Sequence, residues 1–424
     1  MNVLIIGGGV IGITASILMK KKGYDVTVIE KNKTLGGLLS SVEAFDNTFL
    51  DYGSHVPRET GIQELDDILF ENLSNEQWNK YKYANVGNFF KDKLNTDSAF
   101  INVSNQNKET INNILNQIIN QKNSNPVNLN EGLKSHFGEY LSEEIYVPLM
   151  KKLLGDIDFN LLYKDSYNLF GYSRFIIANS FETEKLKQDP FLDERIAYIN
   201  NKIGTTNKKI YYPKEPGIFK WVEQLKEQGE ALGVKFLTEE YAINIDFEKK
   251  VIKTNKEEKY NFDKIIWTLQ PELLKKLIEP NYNIPIKEFR GVNVVHFKYR
   301  GDLLTDNHYL YCNDPFMKIF RVTLYDNLTQ NNVNCCTVEI LGGKVEKIDS
   351  IIFDELKYMR VISEDAELID FKHIYVKNGF PIPYKNKKIN LPNFEEIIVL
   401  EKDYKNFFME DLLKKMYTTL KKID

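Results

Sequence analysis

The stretch VLIIGGGVIG, residues 3–12, carries glycines in the spacing G-x-G-x-x-G at Gly7, Gly9 and Gly12. Such glycines can hold a dinucleotide. The first permits a tight turn, the second lets a pyrophosphate approach the backbone, and the third lets helix and strand pack closely. Eighteen residues beyond Gly12 stands Glu30, near the spacing of an acid that hydrogen-bonds an adenosine ribose. A second concentration of reactive types is FLDYGSHVPRETG, residues 49–61, which packs a carboxylate, a glycine, His55 and an arginine into thirteen positions. Three arginines, Arg174, Arg290 and Arg321, sit in aromatic, strand or helix settings rather than in lysine-rich loops. Arginine stays charged and grips phosphate bidentately, so Arg174 and Arg321 are candidate ligands for a diphosphate, with Tyr325 on Arg321's strand face.

The elements that must position these groups follow from periodicity. VLIIG is a continuous aliphatic run, as in a strand buried on both faces of a parallel sheet. A helix follows, with Ile13, Ile17 and Leu18 on its apolar face and Gly23 at its C-terminal cap. YDVTVIEK is then a second strand ending in Glu30. Residues 61–204 are predicted mostly helical, with a strand hairpin at NVGNFFKDKL and two helices divided near Gly138. Residues 205–275 return to the first unit through a helix at about 218–231 and the strand KIIW. Runs such as VNVVHFKY, KIFRVTLYD and CTVEIL within residues 276–384 alternate apolar and polar, which predicts a mostly antiparallel sheet.

Bulk composition narrows the function classes. At 424 residues the chain is long enough for about two or three domains. A net charge of −4 gives no support for wholesale nucleic-acid or membrane binding. The three cysteines fit neither a disulfide framework nor a zinc pattern, because Cys335 and Cys336 are adjacent in a strand and point to opposite faces. Five scattered histidines offer no metal-ligand pair, and no serine or cysteine nucleophile motif or P-loop is present. The N-terminus lacks a basic segment before its apolar run, and no stretch reaches the ~18–20 apolar residues of a membrane span. A cytoplasmic protein acting on a small molecule is expected, with no nucleic-acid partner and with a homodimer left open.

A plain NAD domain does not require Gly36-Gly37, six and seven residues after Glu30. Here the sequence resembles the glutathione-reductase-type FAD proteins that include amine oxidases, protoporphyrinogen oxidase and UDP-galactopyranose mutase. In that family an acid-x5-Gly-Gly segment, matched by Glu30, Lys31 and on through Gly36, Gly37 and Leu38, passes close to the FAD ribose and diphosphate. A segment of the form apolar-Asp-apolar-Gly-small-His then leads towards the isoalloxazine ring, and Leu50-Asp51-Tyr52-Gly53-Ser54-His55 fits it residue for residue. The resemblance implies that Gly53, Ser54 and His55 meet the cofactor, Gly53 by letting backbone approach a flat ring. It implies an α/β fold with a discontinuous Rossmann-like FAD domain (residues 1–60, 205–275 and 385–424), a helical insertion (61–204) and an antiparallel substrate sheet (276–384) roofing the flavin. Most relatives carry a Gly-Arg before the last helix. Glu401-Lys402 stand there, ahead of a helix expected from about Asn406.

The mutase resemblance, in which reduced flavin N5 attacks the anomeric carbon of a nucleotide sugar and the ring recloses at another size, is the leading expectation. It implies FAD kept reduced by NAD(P)H or another reductant, a role in surface-glycan biosynthesis, and His55, Arg174, Arg321 and Tyr325 as the catalytic set. An oxidoreductase of the amine-oxidase or desaturase type is the alternative, since Tyr309, Tyr311 and Phe320 could line an aromatic cage. A degenerate flavoprotein serving as a scaffold is the third, supported only by the missing Gly-Arg.

Overall fold

The computed structural model describes residues 1–200, 208–284, 288–385, 389–392, 394–400 and 408–423. Glu401-Lys402 and Asn406 lie outside the described residues. A five-stranded, wholly parallel sheet runs in the order 397–399, 264–267, 2–6, 25–29, 235–237. The strand Asn2–Ile6 at its centre shows why its sequence is unbroken aliphatic. Val3 and Ile5 face one core, with the helices Val10–Lys21, Phe219–Ala231 and Met409–Leu420. Leu4 and Ile6 face the other, under the three-stranded sheet of 242–261 and the helix Pro271–Ile278. Successive side chains point to opposite faces, and here both faces are buried.

A second sheet has seven strands, in the order 367–381, 289–300, 335–341, 321–324, 309–312, 86–90, 93–95. Only the pairing of 309–312 with 86–90 is parallel. The predicted hairpin at residues 86–95 therefore exists, but it extends this sheet instead of standing within a helical unit. Trp78–Tyr81 is a further strand there, paired with Ile210–Pro213. One face of the large sheet is apolar, with Phe297, Leu310, Val322, Leu324, Cys336 and Val338 packed beneath the helix Asp349–Tyr358. The opposite face carries Tyr309, Tyr311, Arg321, Thr323, Thr337, Glu339 and His296, the alternate positions of the same strands. Cys335 and Cys336 divide between the two cores, and all three thiols are free and buried.

The helical portion consists mainly of Lys108–Ile119, Leu129–Leu141 and Val147–Leu154. Asn107 and Asn128 cap the first two by accepting from the backbone N–H groups of Thr110 and Glu131. The division expected near Gly138 appears as a kink, with φ 78° and ψ 165° at that residue. The strand expected through Tyr325 stops at Leu324, and Tyr325–Thr329 forms a short helix. Among the described residues no helix is long and apolar enough to cross a membrane.

Candidate active site at the junction of the two sheets

The glycine turn emerges from the central strand as its spacing requires. Gly7 has φ 111°, and its N–H donates to the carbonyl of Ile29 at 2.9 Å. A Cβ on Gly12 would lie 2.0 Å from the Gly7 carbonyl oxygen, so only glycine lets the helix pack so close. A Cβ on Gly9 would meet nothing within 4 Å. The space above Gly9 is thus open, at the N-terminus of a helix whose first N–H groups receive no side-chain cap. The Gly36 N–H donates to the Gly8 carbonyl at 2.8 Å, and Gly37 lies against Gly9. Both glycine pairs therefore line one cradle. Glu30, buried at the strand end, accepts from the Gly8 N–H at 2.7 Å and the Asn32 N–H at 2.8 Å. Each carboxylate oxygen keeps a lone pair for a ribose hydroxyl. These residues fit a dinucleotide. Lys31 and Leu38 are exposed along the same loop.

The strand Thr48–Asp51 leads from this cradle towards the large sheet. Asp51 is fully buried and anchors the passage. Its Oδ1 accepts from Ser41 Oγ at 2.6 Å and the Ile218 N–H at 2.7 Å, while Oδ2 accepts from the Tyr212 hydroxyl at 2.5 Å. Burial raises its pKa to about 6 although these donors pull the other way. Tyr325, also fully buried, accepts from the Asp51 N–H at 2.8 Å and shares a 2.8 Å hydrogen bond with Thr337 Oγ1. Thr337 in turn meets His296 Nδ1 at 2.8 Å. Tyr325 is thus a tether between the sheets, off the strand on which it was expected.

Beyond Asp51 the chain passes over the polar face of the large sheet. Strand register sets Arg321 opposite both Glu339 and Tyr311, and Thr323 opposite both Thr337 and Tyr309. Arg321 and Glu339 form a bidentate ion pair with distances of 2.7 and 2.8 Å. Burial opposes the guanidinium's charge, but Glu339 outweighs this and holds it charged beyond the ordinary arginine range. Glu339 also accepts from the Ser54 N–H at 3.1 Å, and Ser54 Oγ meets Thr323 Oγ1 at 2.5 Å. A Cβ on Gly53 would lie 2.8 Å from the Glu339 carboxyl carbon. The glycine is needed here for the carboxylate, whatever else approaches it.

His55 follows, half-buried, and neither ring nitrogen has a hydrogen-bond partner among the described residues. Burial, reinforced by Arg321 and partly opposed by Glu339, lowers its pKa to about 4, so the ring is neutral at pH 7. Tyr309 is also half-buried, and burial pushes its phenol up to about 12. These groups gather over the polar face of the large sheet, in a candidate recess beyond Asp51.

His55 and Arg321 are therefore brought together; Arg174 is not with them. Its guanidinium donates to the carbonyls of Asp193 and Ile196 and pairs with the Asp193 carboxylate at 3.7 Å, all within the helical portion. Two residues were given no role from sequence: Glu339, which pairs with Arg321, and Arg58, the arginine of FLDYGSHVPRETG, whose charge acts on the Tyr309 phenol. Glu339 had a signal, being a lone acid in CCTVEIL, a strand that is otherwise apolar or hydroxylic and wholly buried.

The family model of NAD(P)-binding Rossmann-like domains matches residues 5–67. A carotenoid 3,4-desaturase of Haloarcula japonica is 26% identical over 266 residues, 56% of this chain and 49% of that one. The matched stretches span about half or less of the curated relatives' own lengths. Reduced UDP-galactopyranose mutase superposes with a TM-score of 0.69 at 18% identity, covering 91% of this chain and 83% of the other. An oxidoreductase from Methanosarcina mazei superposes with a TM-score of 0.63 at 13% identity, covering 100% of both. The family match shows a Rossmann-like dinucleotide-binding domain at residues 5–67, and the superpositions show that the chain as a whole has a fold like that of UDP-galactopyranose mutase.

Proposed function

We propose that the chain is an FAD-dependent enzyme acting on a hydroxylated, polar small molecule, a nucleotide sugar in the manner of the mutases, within surface-glycan biosynthesis in the cytoplasm. One observation carries this reading. Beyond Asp51, His55, Ser54, Thr323, Tyr309 and the Arg321–Glu339 pair gather over the polar face of the large sheet, and among the described residues His55 and Tyr309 lack a hydrogen-bond partner. Polar groups buried against hydrocarbon cost free energy unless they find partners, and a sugar supplies such partners where a polyene does not.

Gly9, Gly12, Gly36 and Gly37 would admit the FAD diphosphate, and Glu30 would take its adenosine ribose. Bound FAD supplies hydride acceptance or, once reduced by NAD(P)H or another reductant, a nucleophilic nitrogen. The protein's own groups orient the substrate. Neutral His55 offers one N–H donor and one acceptor lone pair, and Tyr309 stays protonated as a donor. Arg321 is held rigid by Glu339 and fixes Ser54 through that carboxylate. The reading takes residues 1–60, 205–275 and 385–424 as the cofactor unit, 61–204 as a mainly helical insertion and 276–384 as the substrate sheet, to which residues 86–95 of the insertion add two strands.

A second reading, a redox enzyme of the desaturase or amine-oxidase kind, is favoured by one specific feature. Arg321's charge is matched by Glu339, so Arg321 by itself is not a free clamp for a diphosphate.

The test is a visible absorption spectrum of the purified protein, repeated after dithionite reduction with UDP-sugars added. A flavin band near stoichiometry that UDP-sugars perturb only in the reduced protein supports the mutase reading. Bleaching by an amine or alkene substrate, with indifference to UDP-sugars, supports the redox reading. Colourless protein after FAD is supplied would remove both.

A further inference from the structure

Arg58 stands three residues beyond His55, and its position is fixed by backbone. It bridges Ile210, while the Tyr211 N–H donates to the Pro57 carbonyl and the Glu59 N–H to the Lys209 carbonyl, each at 3.0 Å. Val56, two residues earlier and so on the same side of an extended chain, packs in one small cluster with Ile210, Tyr309 and Tyr311. The adjacent acid faces elsewhere, for Glu59 accepts from the Tyr211 hydroxyl at 2.7 Å and the Lys209 N–H at 2.9 Å. Among the described residues the Arg58 guanidinium has no hydrogen-bond or ion-pair partner. It is half-buried, and its charge acts on the Tyr309 phenol.

The tyrosines join this cation to the rest of the recess. The rings of Tyr309 and Tyr311 lie 6.0 Å apart, and the Arg321 guanidinium lies 5.9 Å from the Tyr311 ring centre. No hydrogen bond engages the Tyr309 hydroxyl among the described residues. Glu339 cancels Arg321 and His55 is neutral. Of these residues, Arg58 is the charge that has no counter-ion among the described residues.

We propose that Arg58, with the Tyr309 hydroxyl, forms the subsite that receives a phosphate oxyanion of the substrate, and that the Arg321–Glu339 pair serves as its rigid floor. An arginine fork and a phenol O–H are both donors, and charge-assisted bonds to phosphate are the strong ones. The inference rests on the nucleotide-sugar reading for the identity of the phosphate, but not for its existence.

Equilibrium dialysis of the FAD-loaded protein against UDP-glucose, inorganic pyrophosphate and uridine tests it in wild type, Arg58→Gln and Arg58→Lys. Because Arg58 has no partner among the described residues, its replacement leaves no buried charge orphaned there, and all three proteins are expected to fold. UDP-glucose and pyrophosphate binding should weaken at least tenfold in Arg58→Gln and recover in large part in Arg58→Lys, with uridine unchanged. Equal pyrophosphate binding by wild type and Arg58→Gln would overturn the subsite. Pyrophosphate binding that depends on Arg58, with no UDP-glucose binding by wild type, would keep the subsite and remove the nucleotide sugar. Wild type that binds neither pyrophosphate nor UDP-glucose overturns both.

Discussion

Arg321 and Glu339 face one another across neighbouring antiparallel strands, with Nε 2.7 Å from Oε1 and Nη2 2.8 Å from Oε2. Side-chain exposures of 15% and 4% leave little water to screen the pair. A buried ion pair contributes little net stability, yet removing one partner strands the other charge.

Arg321→Met is therefore expected to lower unfolding free energy by about 3–5 kcal/mol, read from urea denaturation. The double replacement Arg321→Met, Glu339→Leu should recover much of that loss. A single mutant as stable as wild type would show that the pair is solvated in solution.

Gly9 and Gly12 should respond differently to enlargement. Gly9→Val projects into open space, so the melting temperature should hold while bound flavin, read from absorbance, disappears. Gly12→Ala drives a methyl against the Gly7 carbonyl and should destabilise the fold itself. Flavin retained by Gly9→Val would place the diphosphate elsewhere.

Tyr325→Phe removes a hydroxyl that satisfies the Asp51 N–H and Thr337. A buried donor left without a partner costs about 1–3 kcal/mol, so chemical denaturation should show a loss of that size. An unchanged midpoint would mean that the tether between the sheets is not formed.

Acid should destabilise this protein early. All five histidines have pKa values lowered by burial, His55 and His308 to about 4 and His136 and His296 to about 3. The unfolded chain then takes up protons first, so stability falls as pH drops from 6.5 towards 4. Asp51 opposes this. Its pKa is raised from 3.8 to about 6, so its contribution is present at low pH and is lost as pH rises through 6. Asp51→Asn should consequently lose stability more steeply than wild type between pH 6 and 4, measured as urea midpoints. Parallel slopes would show that Asp51 does not bind a proton in that range.

The glycine turn and its cradle were legible because everything that defines them is local. Gly7 to Glu30 spans one strand, one helix and a second strand, and each step has a steric reason that survives in any context. Gly36-Gly37 and the segment to His55 were recognisable by resemblance, and the fold puts that glycine pair against the first. Arg174 and Arg321 looked alike in sequence, since both lie among aromatics. Only packing distinguishes them: one guanidinium is consumed by carbonyls at the end of a short helix, and the other lies on the polar face of a sheet. Tyr325 looked like a continuation of Arg321's strand, but the chain turns into a helix after Leu324, and its hydroxyl goes to Asp51.

The sequence by itself determined the parallel dinucleotide sheet, the glycine turn and the alternation that builds the second sheet, because these depend on short-range sterics and on burying apolar faces. Tertiary structure decided which charges in the recess are spent and which are free. Arg321 is neutralised by Glu339 through strand register, and among the described residues Arg58 is left unpaired because Glu59 turns to Tyr211 and Lys209. Electrostatic pairing depends on distances of a few ångströms between residues remote in sequence, and no spacing rule along the chain encodes them.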